Sequence, residues 1–150
     1  MKRLGSLFAL FFLIVGCGED PDPDRNTKLD EVQDVVTVGR WRISYFLDSD
    51  KDETADFAEY VFQFQPSGAL IATDGPTSLT GSWAVTEDSD SNDDIDTYED
   101  IDFDISFVSS PVLSELTEDW EIIAISNTKI ELKHISGGNG STDLLTFDKI

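Results

Sequence analysis

Residues Val38 to Asp48 read VGRWRISYFLD, a run of β-branched and aromatic side chains that predicts a strand. Toward the C-terminus, similar runs follow at Glu59 to Gln65, Ala69 to Asp74, Leu79 to Thr86, Ile101 to Val108, Trp120 to Ser126, Lys129 to Ile135 and Thr142 to Lys149. Turn residues separate several of them: Pro66-Ser67-Gly68, Asp74-Gly75-Pro76, Asn127-Thr128 and Ser136-Gly137-Gly138-Asn139-Gly140. Helical character is confined to Leu29 to Val36 and Val112 to Leu116, both short. Eight strands with mostly short connections predict an all-β, antiparallel up-and-down meander that closes into a small barrel, because closure removes exposed strand edges. An open two-sheet sandwich fits the same pattern, since it too buries one face of each strand.

Gly39-Arg40-Trp41 resembles the G-x-W element that opens lipocalin and lipocalin-like barrels. The resemblance gives Gly39 and Trp41 structural roles, with the indole packed across the barrel floor. It also implies that Lys149 takes the place of the basic residue that lipocalins often set over that tryptophan. The T-D-Y element of lipocalins is missing. The order WRISYF, DET, YVFQF, GSW is similar to small lipoproteins of Gram-negative bacteria with lipocalin-like domains, a likeness that speaks to fold rather than activity.

Ahead of this domain, Lys2 and Arg3 precede an apolar stretch from Leu4 to Val15, then Gly16 and the single cysteine, Cys17. The stretch is short of the roughly 20 apolar residues of a membrane span and reads as a cleavable export signal. Ile14-Val15-Gly16-Cys17 resembles the lipobox of bacterial lipoproteins. That resemblance implies removal of residues 1–16, acylation of Cys17, and attachment to the membrane through acyl chains. An unpaired cysteine in an oxidising export compartment is otherwise hard to explain. Residues 17–28 then form the acylated cysteine and a polar, proline-containing tether (GEDPDPDRNTK from Gly18), and 29–150 the folded domain. Glu19, Asp20, Asp22 and Asp24 look like the surface-export signal of some Gram-negative lipoproteins. Gly18, where an aspartate would signal inner-membrane retention, favours the outer membrane, with the domain on either its periplasmic or its outer face.

Thirty-one acidic residues all follow the signal, against eight basic ones, so the mature chain carries a charge of −23 with His134 neutral. Such an excess excludes nucleic acid, whose binding requires cations that displace counterions at phosphates. It equally excludes an electrostatic hold on anionic lipid.

One acidic stretch has a spacing of its own. Asp48, Asp50, Asp52, Thr54 (through its backbone carbonyl), Asp56 and Glu59 fall on positions 1, 3, 5, 7, 9 and 12 of an EF-hand-type loop, which makes them candidate Ca²⁺ ligands. Glu53 stands where the turn glycine belongs, and the flanks read as strands, so a helix-loop-helix is not expected. An acidic, solvated hairpin loop is the competing reading. A second acidic segment, Glu87 to Asp104, ends in a half-buried strand and reads mainly as a solvated loop.

Catalytic patterns are lacking. The only histidine, His134, falls on the apolar face of its strand with Ile130 and Leu132 and reads as a packed or barrel-mouth histidine, and no second histidine or cysteine is available for zinc. Aromatic residues in predicted strands, among them Trp41, Tyr45, Tyr60, Phe62, Phe64, Trp83, Phe103, Phe107, Trp120 and Phe147, either fill the barrel or line a pocket. The expected function is a non-catalytic binding module for a small apolar or amphipathic ligand. The competing reading is a cation-stabilised interaction protein that presents acidic loops to a protein or glycan partner.

Overall fold

The computed structural model describes residues 23–87, 98, 101–138 and 140–150. Cys17, the stretch expected to be an export signal, and most of the second acidic segment lie outside them. Among the described residues nine strands follow one α-helix: α1 (Pro23–Val36), β1 (Trp41–Asp48), β2 (Lys51–Asp52), β3 (Val61–Phe64), β4 (Ala69–Asp74), β5 (Thr77–Glu87), β6 (Ile101–Ser106), β7 (Glu118–Ser126), β8 (Lys129–Ile135) and β9 (Thr142–Lys149). From β3 to β9 each strand pairs antiparallel with the next, and β1 pairs with both β3 and β9. The meander therefore closes as an eight-stranded barrel of the lipocalin-like kind, with β2 as a short extra strand on the end of β1. Closure decides against the open sandwich.

The seam between β1 and β3 is narrow, with only Trp41 and Phe62 in register. Beyond it the chain from Glu53 to Tyr60, including a 3₁₀ turn at Thr54–Phe57, substitutes for sheet. The Glu53 amide donates to the Phe46 carbonyl at 3.0 Å, and the Phe46 amide donates to the Thr54 hydroxyl at 2.9 Å. Backbone groups at this edge thus find partners without a continuous ladder.

Two features depart from the expectation. The segment assigned to a flexible tether is helical from Pro23, so α1 runs for 14 residues. Proline is tolerated in a first helical turn, where its missing N–H has no acceptor to lose, and Val32 and Val36 anchor the helix by burying completely. Within β1, the register to β9 slips between Ile43 and Tyr45. Such a bulge reverses the alternation of side chains. Trp41 and Ile43 face inward, but Tyr45 turns out to solvent and Phe46 takes the interior place.

The interior is built from rings. Trp41, Phe46, Phe57, Phe62, Phe64, Phe103, Phe107, Trp120 and Phe147 are each less than 2% exposed. Phe64 makes edge-to-face contacts with Trp83, Phe103 and Phe147 at centroid separations of 5.4, 5.7 and 5.5 Å, and Phe46 meets Phe57 in the same way at 5.1 Å. These are separations at which aromatic pairs attract beyond their area burial.

Both ends are capped. At the end where β1 starts, α1 lies across the opening; at the opposite end a 3₁₀ turn, Leu113–Leu116, buries both of its leucines. Each of the three tryptophans ties the barrel to a segment at one of these ends. The indole N–H of Trp41 donates to the Val36 carbonyl at 2.9 Å, that of Trp83 to Gln65 at 2.9 Å, and that of Trp120 to Leu116 at 3.1 Å. A buried ring that must place its N–H somewhere thereby fixes a cap as well.

Candidate functional site at the distal end of the barrel

The end of the barrel away from α1 collects the connections Ser49–Tyr60, Gly75–Pro76, Phe107–Thr117 and Ser136–Ser141. Most of the residues singled out from the sequence stand here. β1 runs on to Asp48, turns through Ser49 and Asp50, and returns as β2. Ser49 adopts a positive φ of 56° and is held there by Asp143 of β9, whose carboxylate accepts the Ser49 amide at 2.6 Å.

This hairpin separates the six candidate calcium ligands. Asp48, Asp50, Asp52, Asp56 and Glu59 are exposed. Among the described residues, no three of these carboxylates bring their oxygens within 4.8 Å of one another. One of the five carboxylates is committed locally. The Asp52 carboxylate accepts both the Thr54 amide at 3.0 Å and the Thr54 hydroxyl at 2.6 Å, which holds it below the usual carboxylate range. The Thr54 hydroxyl in turn accepts the Phe46 amide. A two-residue hairpin followed by a 3₁₀ turn spreads ligands along the chain, whereas a calcium loop must wrap them around a point. The spacing does not produce an EF-hand-type cage in this fold.

Glu53, at the position where that cage needs glycine, is instead the buried acidic side chain of this end, 8% exposed. It pairs with the Lys51 ammonium and lies near Glu115 of the 3₁₀ turn Leu113–Leu116. The bond to Glu53 raises the Lys51 ammonium above its ordinary range. Desolvation, and then the charges of Glu53, Asp56 and Asp48, hold the Glu115 carboxyl above the usual value.

His134 sits where its alternation places it, on the inward side of β8, edge-on to Trp120 with 6.2 Å between ring centres. Its Nδ1 lies 3.1 Å from the Asp119 backbone carbonyl and its Nε2 lies 3.6 Å from Glu118 Oε2. Glu118, Asp119 and His134 are the group of three metal-ligating side chains, among the described residues, whose donor atoms all fall within 4.8 Å. Sequence reading passed over Glu118 and Asp119. The Asn127-Thr128 turn fixes Ser126 opposite Lys129, and an uninterrupted ladder from there would set His134 against Glu121. A bulge between Ile122 and Ala124 adds one residue to β7, and the shifted register carries His134 to Trp120 and the start of the strand. Nothing in the composition of that segment announces the bulge.

Outside the barrel wall, a groove of about 400 Å³ runs between α1 and the Pro66–Gly68 turn. Another of about 450 Å³ is lined by Arg40, Arg42, Glu59, Gln63 and Thr73. No helix among the described residues is long and apolar enough to cross a membrane. Comparisons with protein-family models, curated proteins and solved structures found no match.

Proposed function

We propose that this chain is an exported lipoprotein, held to the outer membrane through acylated Cys17, whose barrel is a non-catalytic interaction module that presents its distal acidic end to a basic protein surface. The observation that carries this reading over a small-ligand carrier is the filled interior, with nine large side chains less than 2% exposed between two capped ends. A barrel of eight strands has room for side chains or for a ligand, not for both.

Orientation supports it. The helix begins at Pro23, so only Gly18 to Asp22 separate it from Cys17, a reach of at most about 20 Å. The α1 end is therefore tied near the bilayer, and the end bearing Asp48, Asp50, Asp52, Asp56, Glu115 and Asp143 points away from it. Exposed Val108 and Ile135, 93% and 51% accessible, stand at that same end and offer apolar contact among the charges.

Site-specific photo-crosslinking in the host envelope tests the proposal. A crosslinker at Asp50 is expected to give a discrete protein adduct that weakens with added salt, whereas one at Thr86 on the barrel wall gives none. Cys17→Ala is expected to lose acyl labelling and remain an uncleaved precursor. A small apolar molecule retained in native mass spectrometry, with no adduct at Asp50, would return the reading to a ligand carrier.

A further inference from the structure

We infer that Glu118, Asp119 and His134 form a binding site for a divalent transition-metal ion of the Zn²⁺ type at the distal mouth of the barrel. A carbonyl oxygen only accepts, so the 3.1 Å contact between His134 Nδ1 and the Asp119 backbone oxygen requires Nδ1 to carry the proton. In the neutral imidazole that leaves the lone pair on Nε2, which faces Glu118 Oε2 at 3.6 Å. Two lone-pair donors facing one another repel unless a proton or a metal cation lies between them. Two ligands about 2.0–2.1 Å from a tetrahedral zinc are separated by roughly 3.3 Å, so the observed gap needs little adjustment to hold the ion.

The surroundings match what a metal asks of a histidine. A ligating imidazole usually donates its other ring N–H to a carbonyl or carboxylate, which fixes both tautomer and ring orientation. Here the Asp119 carbonyl supplies that bond and the Trp120 ring supports the imidazole edge-on. The side chain of His134 is 19% accessible and that of Glu118 41%, so an ion can enter from solvent and retain water at its remaining positions. An imidazole nitrogen with two carboxylates suits zinc and its neighbours in the first transition row, whereas Ca²⁺ and Mg²⁺ prefer all-oxygen sites.

Because the chain has one histidine, ¹⁵N-histidine labelling of the mature lipoprotein in detergent gives a single imidazole to observe. Titration with Zn²⁺ at pH 7.5 is expected to shift Nε2 while Nδ1 keeps its proton, with one ion bound and no competition from excess Ca²⁺. Glu118→Gln is expected to weaken Zn²⁺ by more than about 100-fold, the upper end of what losing an outer-shell partner costs. His134→Gln should remove the site, with circular dichroism confirming that the variant still folds. An unperturbed Nε2 in Zn²⁺, or equal Zn²⁺ affinity in the wild type and Glu118→Gln, would overturn the inference and leave a histidine–carboxylate contact in its place.

Discussion

The ammonium of Lys149 lies 5.1 Å from the centre of the Trp41 ring, bringing the last residue of β9 over the first residue of β1 at the closure of the barrel. Gly39 makes the approach feasible. Its φ is +95°, and a Cβ there would stand 2.6 Å from the Lys149 Cε. The basic residue over the tryptophan, implied by the G-x-W resemblance, is thus present in the fold. Lys149→Met keeps the stem and removes the charge, and is expected to cost about 0.5–2 kcal/mol in chemical denaturation. Gly39→Ala should cost at least about 1 kcal/mol through backbone strain and the displaced lysine. Wild-type stability in both variants would show that the contact contributes nothing to closure.

Trp120 links the barrel to the distal 3₁₀ turn through its bond to the Leu116 carbonyl. Trp120→Phe retains most of the ring packing but leaves that carbonyl without its donor, so a loss of about 1–3 kcal/mol is expected. Amide exchange in Leu113–Leu116 should accelerate more than in α1, while Trp41→Phe should show the opposite pattern because its acceptor is Val36. Uniform acceleration at both ends in each variant would mean that the caps do not open separately.

Gly81 of β5 has no side chain because there is no space for one. A Cβ there would meet the Ser106 backbone oxygen at 2.4 Å and the Phe107 ring at 2.6 Å. Neither the paired strand nor the fully buried ring yields readily. Gly81→Ala is expected to destabilise by about 1–3 kcal/mol, as overpacked substitutions do. Gly75→Ala serves as the comparison: its φ of +53° adds strain, but its Cβ meets nothing within 4 Å. The larger loss should fall on Gly81 in matched urea melts.

Stability should rise on mild acidification. Asp104 and Glu115 are both held above their ordinary values of 3.8 and 4.5, chiefly by desolvation, with Asp119 adding to the first and Glu53 to the second. A carboxyl that holds its proton more firmly in the folded state contributes stability below its ordinary pKa, and that contribution disappears as pH rises through the raised value. Asp52 acts in the opposite sense: its carboxyl is lowered from 3.8, so its contribution is lost as pH falls through the lowered value. The melting temperature is therefore expected to climb from neutral pH toward about 4.5 and to fall again at pH values well below 3.8. The double variant Asp104→Asn/Glu115→Gln should flatten the climb. An unchanged slope would assign it to general relief of the charge excess.

The eight barrel strands, their order and most of their boundaries were legible in the residues, whereas the short β2 was not. Ala69–Asp74, Lys129–Ile135 and Thr142–Lys149 match at both ends because strong turn residues flank alternating side chains. The helix was longer than its apolar periodicity suggested, since its N-terminal turns are polar and helix formation there depends on the buried Val32 and Val36 further along. Local chemistry thus determined an all-β chain with a closing tryptophan, and a strongly acidic surface. Tertiary structure alone decided what depends on register. The bulge in β1 exchanged Tyr45 for Phe46 in the interior, and the bulge in β7 carried His134 toward Glu118. The hairpin at Ser49–Asp50 dispersed the carboxylates whose spacing suggested calcium. Linear spacing specifies a site only when the backbone between its residues has a known path, and one inserted residue in a strand turns every following side chain to the other face.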